Sequence, residues 1–368
     1  MKRTLTVFSM FSVVVLGAAS CKNDKNPTPD TTPKYDVPTT YNFANVDFSE
    51  STTRLGMITE IQNVMKAATV AKGTALDVTK LKNMFTNTAS PFVTAAYNTA
   101  GINLKDQTAP LFQTDYNRFI DSLNTGAASG QDASKGVAGW GVSSTNANSK
   151  FLLTASGVNY AQVFNKAIMG GLITYQIVNN YMSAGIAESV DNSTVVAGKG
   201  TAQEHNWDLA FGYWGVPIDF PTNKTGAKLW GSYSTQVDSG YKANKLLMDA
   251  FLKGRAAIHA KDTKTKQDQA TIILQAFERL TAAAALQEVK EVKESISDDV
   301  QRNSRLSECY GFIYSLKYNP KRKITDAQID GLLALFPKNF YNLTLEDVNK
   351  IRDAVAAQYD FQAVKDIL

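Results

Sequence analysis

Along most of the chain, apolar residues recur three and four positions apart. From residue 54 onward, Leu55, Ile58, Ile61, Met65 and Ala68 trace one face of an amphipathic helix. The same spacing predicts helices over Thr79–Thr88, Ser90–Ala100 and Leu111–Asn124, with Pro91 in a first turn where its missing N–H is harmless. Residues 125–150 are Gly, Ser, Ala and Asn around an isolated Trp140 and predict a long loop. Helical spacing resumes over Asn159–Ser183 and over residues 201–214, 236–260, 266–295 and 298–318. The run AFERLTAAAALQEVKEVKE offers an alanine-rich face for close helix contact, and its Lys/Glu alternation reads as a solvated outer face. Two short helices, opened by Thr325 and Thr344, end the pattern, with Asp347 spaced from Thr344 as in a capping box. Two-residue alternation is scarce. Leu229–Val237 is the only short candidate strand and reads as loop. The expected fold is all-α, a multi-helix bundle.

The first 21 residues depart from this pattern. Lys2 and Arg3 precede an apolar run from Val7 to Leu16, then Gly17, Ala18, Ala19, Ser20 and Cys21. That order predicts a secretory signal peptide over residues 1–20, its apolar run too short to span a membrane. Small residues before Cys21 resemble a lipobox, so Cys21 is expected to be lipidated and to anchor a bacterial lipoprotein. Residues 21–40 are rich in Pro, Thr, Asp and Lys and predict a disordered tether. An all-helical domain over residues 41–368 follows.

Formal net charge is +4, falling to +2 without Lys2 and Arg3. With no basic stripe interleaved with aromatics, a nucleic-acid partner is not expected. Cys309 would be the one thiol left after lipidation, which excludes an internal disulfide, and its apolar surroundings predict a core residue. Two histidines rule out a His-rich metal site.

One of those histidines sits in the segment with the most chemical character, GTAQEHNWDLAFGYWG at 200–215. Thr201 and Glu204 are spaced as a capping box, so a helix should begin at Ala202. On that helix His205, Asp208 and Gly212 share a face, Glu204 and Asp208 flank the imidazole, and Trp207, Phe211 and Trp214 form a core-facing stripe. Three readings stay open: part of an iron or zinc shell completed by other helices, an axial haem ligand walled by aromatics such as Tyr213 and Trp214, or a capped helix with Asp208 orienting His205. Glu278 and Glu308 border apolar stripes and could complete a metal site, or pair with Arg279, Arg302 or Arg305. His259, beside lysines, reads as solvated and without a role.

The segment AQEHNWDLAFGYWG, with YNFANVDFSESTTRL, NKAIMGGLITYQIVNNYM and RLSECYGFIYSLKYNP, is similar to an uncharacterised lipoprotein family of Bacteroidetes, a domain of unknown function. That family distantly resembles imelysin-like proteins, which are helical, bilobed and associated with bacterial iron uptake. The resemblance implies two lobes, about 41–215 and 216–368. The imelysin hallmark Gly-x-His-x-x-Glu falls on Gln203, His205 and Asp208, so the glycine is missing and the carboxylate is shorter. Lipobox, helical pattern and resemblance together lead to an expected non-catalytic binding protein of the cell envelope, on the outer membrane, serving iron or haem acquisition. The alternative is a glycan- or protein-binding accessory subunit of an outer-membrane transporter, with Trp140, Tyr213, Trp230 and Tyr233 available to stack on sugars. An enzyme is not expected: nucleophile elbow, phosphate loop and dinucleotide fingerprint are all missing from the sequence.

Overall fold

The computed structural model describes residues 35–368, without the side chains of 184–186. The expected signal peptide, the lipidated Cys21 and most of the expected tether lie outside the described residues. Helices dominate the chain, as the apolar periodicity requires. After α1 (Ser49–Ala67), α2 (Val78–Thr86) and the short α3 (Ala95–Asn98), α4 (Pro110–Ser129) starts on a proline and ends on a left-handed Gly130. The expected loop is in part structured. Residues 125–129 finish α4, and β1 (Gly139–Val142) pairs antiparallel with β2 (Lys150–Leu153), Trp140 opposite Leu152. Two strands of four residues carry too little alternation to be read from sequence. Asp298 fixes this hairpin to the body, accepting from Ser143 Oγ (2.6 Å) and from Thr145 N (3.1 Å) while it caps the helix that follows it.

Next come α5 (Tyr160–Ile168) and two π-helical stretches, Met169–Thr174 and Gln176–Tyr181, then α6 (Ala184–Ser189) and α7 (Ala202–Trp214). The segment expected to be loop at 229–237 is instead a helix, α8 (Trp230–Gln236), because its apolar residue Trp230 is inserted between helices rather than laid on a surface. The remaining helices are α9 (Asp238–Tyr241), α10 (Ala243–His259), α11 (Thr263–Glu294), α12 (Asp299–Ser315), α13 (Asp326–Leu333) and α14 (Leu345–Gln358). Both expected capping boxes form, at Thr201/Glu204 and Thr344/Asp347, and a third forms at Thr325/Gln328. None of the described helices is long and apolar enough to cross a membrane.

At 32 residues α11 is the spine of the bundle, about 48 Å long at 1.5 Å per residue. It packs against α10, α12 and α14, with Ala282 to Ala285 fully buried. Residues Val37–Leu368 belong to one compact unit. The expected division near residue 215 does not appear, because α5 lies along α12 and α7 lies along both α1 and α10. Apolar faces on both sides of that boundary thus bury each other.

Close approach between α7 and α10 depends on Gly254, where any Cβ would overlap the Trp207 indole. Trp207 is itself fixed, donating from Nε1 to Phe251 O at 2.9 Å. Replacement Gly254→Ala should gain roughly 1 kcal/mol in helix propensity and still lower net stability by about 1–3 kcal/mol through overpacking. Urea unfolding of the two proteins measures the sign.

Candidate functional site

Glu204 and Asp208 do lie on one face of α7, and that face meets Arg255 of α10. Arg255 Nη1 lies 2.5 Å from Glu204 Oε1, and Nε lies 2.9 Å from Asp208 Oδ1. Tyr41 donates its hydroxyl to the same Asp208 oxygen at 2.8 Å, its ring stacked on Phe211. Glu204 also accepts from Thr201 N, and pairs with the exposed His259 at 3.0 Å. Burial pushes Asp208 up to about 7 against the pull of Arg255 and Tyr41. Burial likewise opposes ionisation of Glu204, but the Thr201 amide, Arg255 and His259 hold it below the usual carboxylate range.

His205 points elsewhere, half-buried beside Asp47 and Lys199. Burial and Lys199 depress its pKa, against Asp47. The expected imidazole flanked by two carboxylates is therefore not formed, because a buried guanidinium claims both acids. Gly212 leaves room for a neighbouring element, not a ligand: a Cβ there would lie 2.6 Å from Phe48 Cβ. Tyr213 and Trp214 are fully buried, Tyr213 accepting from Arg54. Glu278 accepts from the amides of Lys323 (2.7 Å) and Ile324 (3.1 Å) and from Tyr359. Glu308 belongs to another cluster altogether. Among the described residues, no three His, Cys, Asp or Glu side chains are grouped so as to hold a metal ion.

That other cluster occupies the centre of the bundle. Lys166 of α5 reaches Glu308 of α12 at 2.7 Å and the Tyr233 hydroxyl at 2.6 Å. Tyr233 donates to Glu288 of α11 at 3.0 Å. Arg305 joins Glu308 (3.2 Å) to Glu291 (2.8 Å). Burial first, then the neighbouring Glu308, push the Glu288 carboxyl well above the usual carboxylate range. Burial works against Glu308 too, yet Lys166 and Arg305 hold it ionised. Glu288 corrects the expectation that the Lys/Glu run of α11 is solvated: it is 1% exposed. Cys309 lies beside this cluster as expected of a core residue, its thiol pushed up by burial and by Glu288.

Lys166 and Tyr233 are also a wall of a cleft of about 530 Å³. Its other walls are the C-terminal turns of α1 (Gln62, Asn63, Lys66), the hairpin (Asn148, Lys150, Phe151) and α5 (Gln162, Asn165). Side-chain amides recur in this lining, and Asn165 Oδ1 is shielded from solvent without a hydrogen-bond partner. Such a concave site, with a few fixed polar groups, suits a ligand rich in hydroxyls. Of the aromatics expected to be available for stacking, only Tyr233 lines the cleft. Trp230 and Tyr213 are core, and Trp140 is half-buried with its Nε1 given to Thr69 O at 2.8 Å. Sequence reading missed Lys166, Glu288 and the amides. A lysine inside NKAIMGGL, an apolar helical run, was the available signal that a buried counter-charge must exist.

Removing Arg255 as Arg255→Ala leaves buried Asp208 without a cation and Glu204 with only the exposed His259, and should lower stability by about 3–5 kcal/mol. The loss of exposed His259 as His259→Ala should change it by less than about 1 kcal/mol. Because folding raises Asp208 to about 7, its stabilising contribution is complete below the ordinary carboxylate range and is lost as pH rises through about 7. Asp208→Asn abolishes that titration, so the stability gap between native protein and variant should narrow from about pH 4.5 to about pH 8 in urea unfolding.

No characterised protein and no solved structure matches this chain. Residues 38–362 match the model of a family described as a domain of unknown function, DUF4856. The match takes in both charge clusters and every wall of the cleft, and the chain belongs to the DUF4856 family.

Proposed function

We propose that this protein is a non-catalytic binding lipoprotein of the bacterial cell envelope, tethered through Cys21, which holds a glycan in the cleft between α1, the hairpin, α5 and α8. The observation that carries the reading is the amide lining. Gln62 and Asn63 bring amide donors and acceptors to the cleft, and Gln162 and Asn165 line it as well, fixed by a bond from Asn165 Nδ2 to Gln162 Oε1 at 3.1 Å; neighbouring sugar hydroxyls require groups of this kind. Tyr233 and Phe151 add ring faces to the same space. Rigid backing comes from the ion cluster behind Lys166, which presets the wall before a ligand arrives. The sequence's likeness to Bacteroidetes lipoproteins supports an outer-membrane location, with the bound glycan passed to a transporter there.

Iron or haem acquisition is the weaker reading. It rests on the distant likeness to imelysin-like proteins through His205 and Asp208, and Asp208 is already paired with Arg255.

Two measurements test the proposal. A glycan array followed by calorimetry on the full chain should find a sugar ligand, and Gln162→Ala with Asn165→Ala should weaken it about tenfold, or roughly 1.4 kcal/mol. Failure of any glycan to bind at about millimolar ligand (about −4 kcal/mol) overturns the glycan reading. Growth with an alkyne-tagged fatty acid should label the protein, and Cys21→Ser should abolish the label. An unlabelled native protein would remove the anchor.

A further inference from the structure

We infer that the cleft selects an anionic sugar, one carrying a carboxylate or sulfate beside its hydroxyls; the inference rests on the glycan reading above. Three ammonium groups border the cleft, those of Lys66, Lys150 and Lys166, and no Asp or Glu side chain lines it. Lys166 is neutralised internally by Glu308 at 2.7 Å. Lys66 and Lys150 have no carboxylate partner among the described residues. Unpaired lysines are common elsewhere on the surface, and what sets these two apart is that they line the same concave space with Lys166 and without an acid.

Lys150 is moreover held in place by neutral groups. Its Nζ lies 3.2 Å from Val70 O and 5.8 Å from the centre of the Trp140 ring. Trp140 is fixed in turn by donating to Thr69 O. These contacts orient the ammonium without cancelling its charge, and Nζ keeps donors for a ligand. Lys66 comes from the last turn of α1 and Lys150 from β2, so the positive edge is assembled by the fold rather than by a run of basic sequence. A neutral sugar would satisfy the amides alone. An acidic one would add charge-assisted hydrogen bonds, which are shorter and stronger than neutral ones.

Calorimetry on the full chain can compare glucuronate, galacturonate and glucose 6-sulfate with glucose and galactose. The anionic sugars should bind at least about tenfold more tightly at low ionic strength, and the advantage should shrink at roughly 0.5 M salt. Which of carboxylate or sulfate binds best identifies the source of the charge. The variant Lys66→Gln with Lys150→Gln should reduce the ratio of anionic to neutral affinity to within about twofold. Both positions are at the surface, and unchanged circular dichroism certifies the fold of the variant. Equal affinity for neutral and anionic sugars in the native protein overturns the charge selection and leaves the glycan reading standing. Absence of binding by any sugar overturns both.

Discussion

Lys166 and Glu308 meet at 2.7 Å where α5, α8, α11 and α12 converge, and both are withdrawn from water. Desolvating two such ions costs several kcal/mol each, and only close mutual contact with further hydrogen bonds offsets it. Tyr233 and Arg305 supply those bonds, while burial and the charge of Glu308 work against ionisation of the neighbouring Glu288. The arrangement tolerates little sliding. A shift of one turn along α5 or α12 would leave an ion stranded in hydrocarbon, whereas a purely apolar contact could repack. The register of four helices, and so the cleft wall formed by Lys166 and Tyr233, follows from this single pairing.

Arg255 does the same for the other end of the molecule. It gathers Glu204, Asp208 and the carbonyl of Ala44, and Tyr41 joins through Asp208. Residues 41–48 are thereby fastened across α7, with Phe43 under the guanidinium. A cluster of acids on a helix face has two physical explanations, a bound cation or a cation of the chain itself. Here the chain provides its own, 47 residues beyond Asp208. Acids that look like ligands in sequence are, in the folded protein, counter-ions that orient helices.

How far the sequence could be read follows from this distinction. Apolar residues at helical spacing mark α1, α7, α10, α11 and α12, and that spacing is a local property; that α7 buries every residue from Trp207 to Trp214 is not. The capping box at Thr201 and Glu204 is local as well, and it forms where expected. Pairing between Arg255 and two acids of α7 is not local, so Glu204 and Asp208 could be recognised as unusual but not assigned. The hairpin was hidden by its brevity, and α8 by an apolar residue, Trp230, that packs inward without a repeating pattern. The cleft was least legible of all. Its amides come from three separated segments, and each alone resembles an ordinary polar surface position.

Directly after Lys166 and Ile168 the helix widens into π turns, an uncommon geometry that tends to occur at functional positions. Its consequence here can be traced atom by atom. Trp230 donates its indole N–H to Met169 O at 3.2 Å and to Thr174 Oγ1 at 3.0 Å, so the wide turn provides acceptors at the base of α8. Anchoring Trp230 in that turn sets where α8 begins, and Tyr233 lies one turn further on, facing Lys166. Regular α-helical winding would rotate each residue beyond Met169 by a fraction of a turn and move Thr174 away from the indole. Met169 and Tyr233 both line the cleft. The irregular turn therefore acts on the same wall as the buried ion pair, the one fixing α8 and the other fixing the groups that α8 presents.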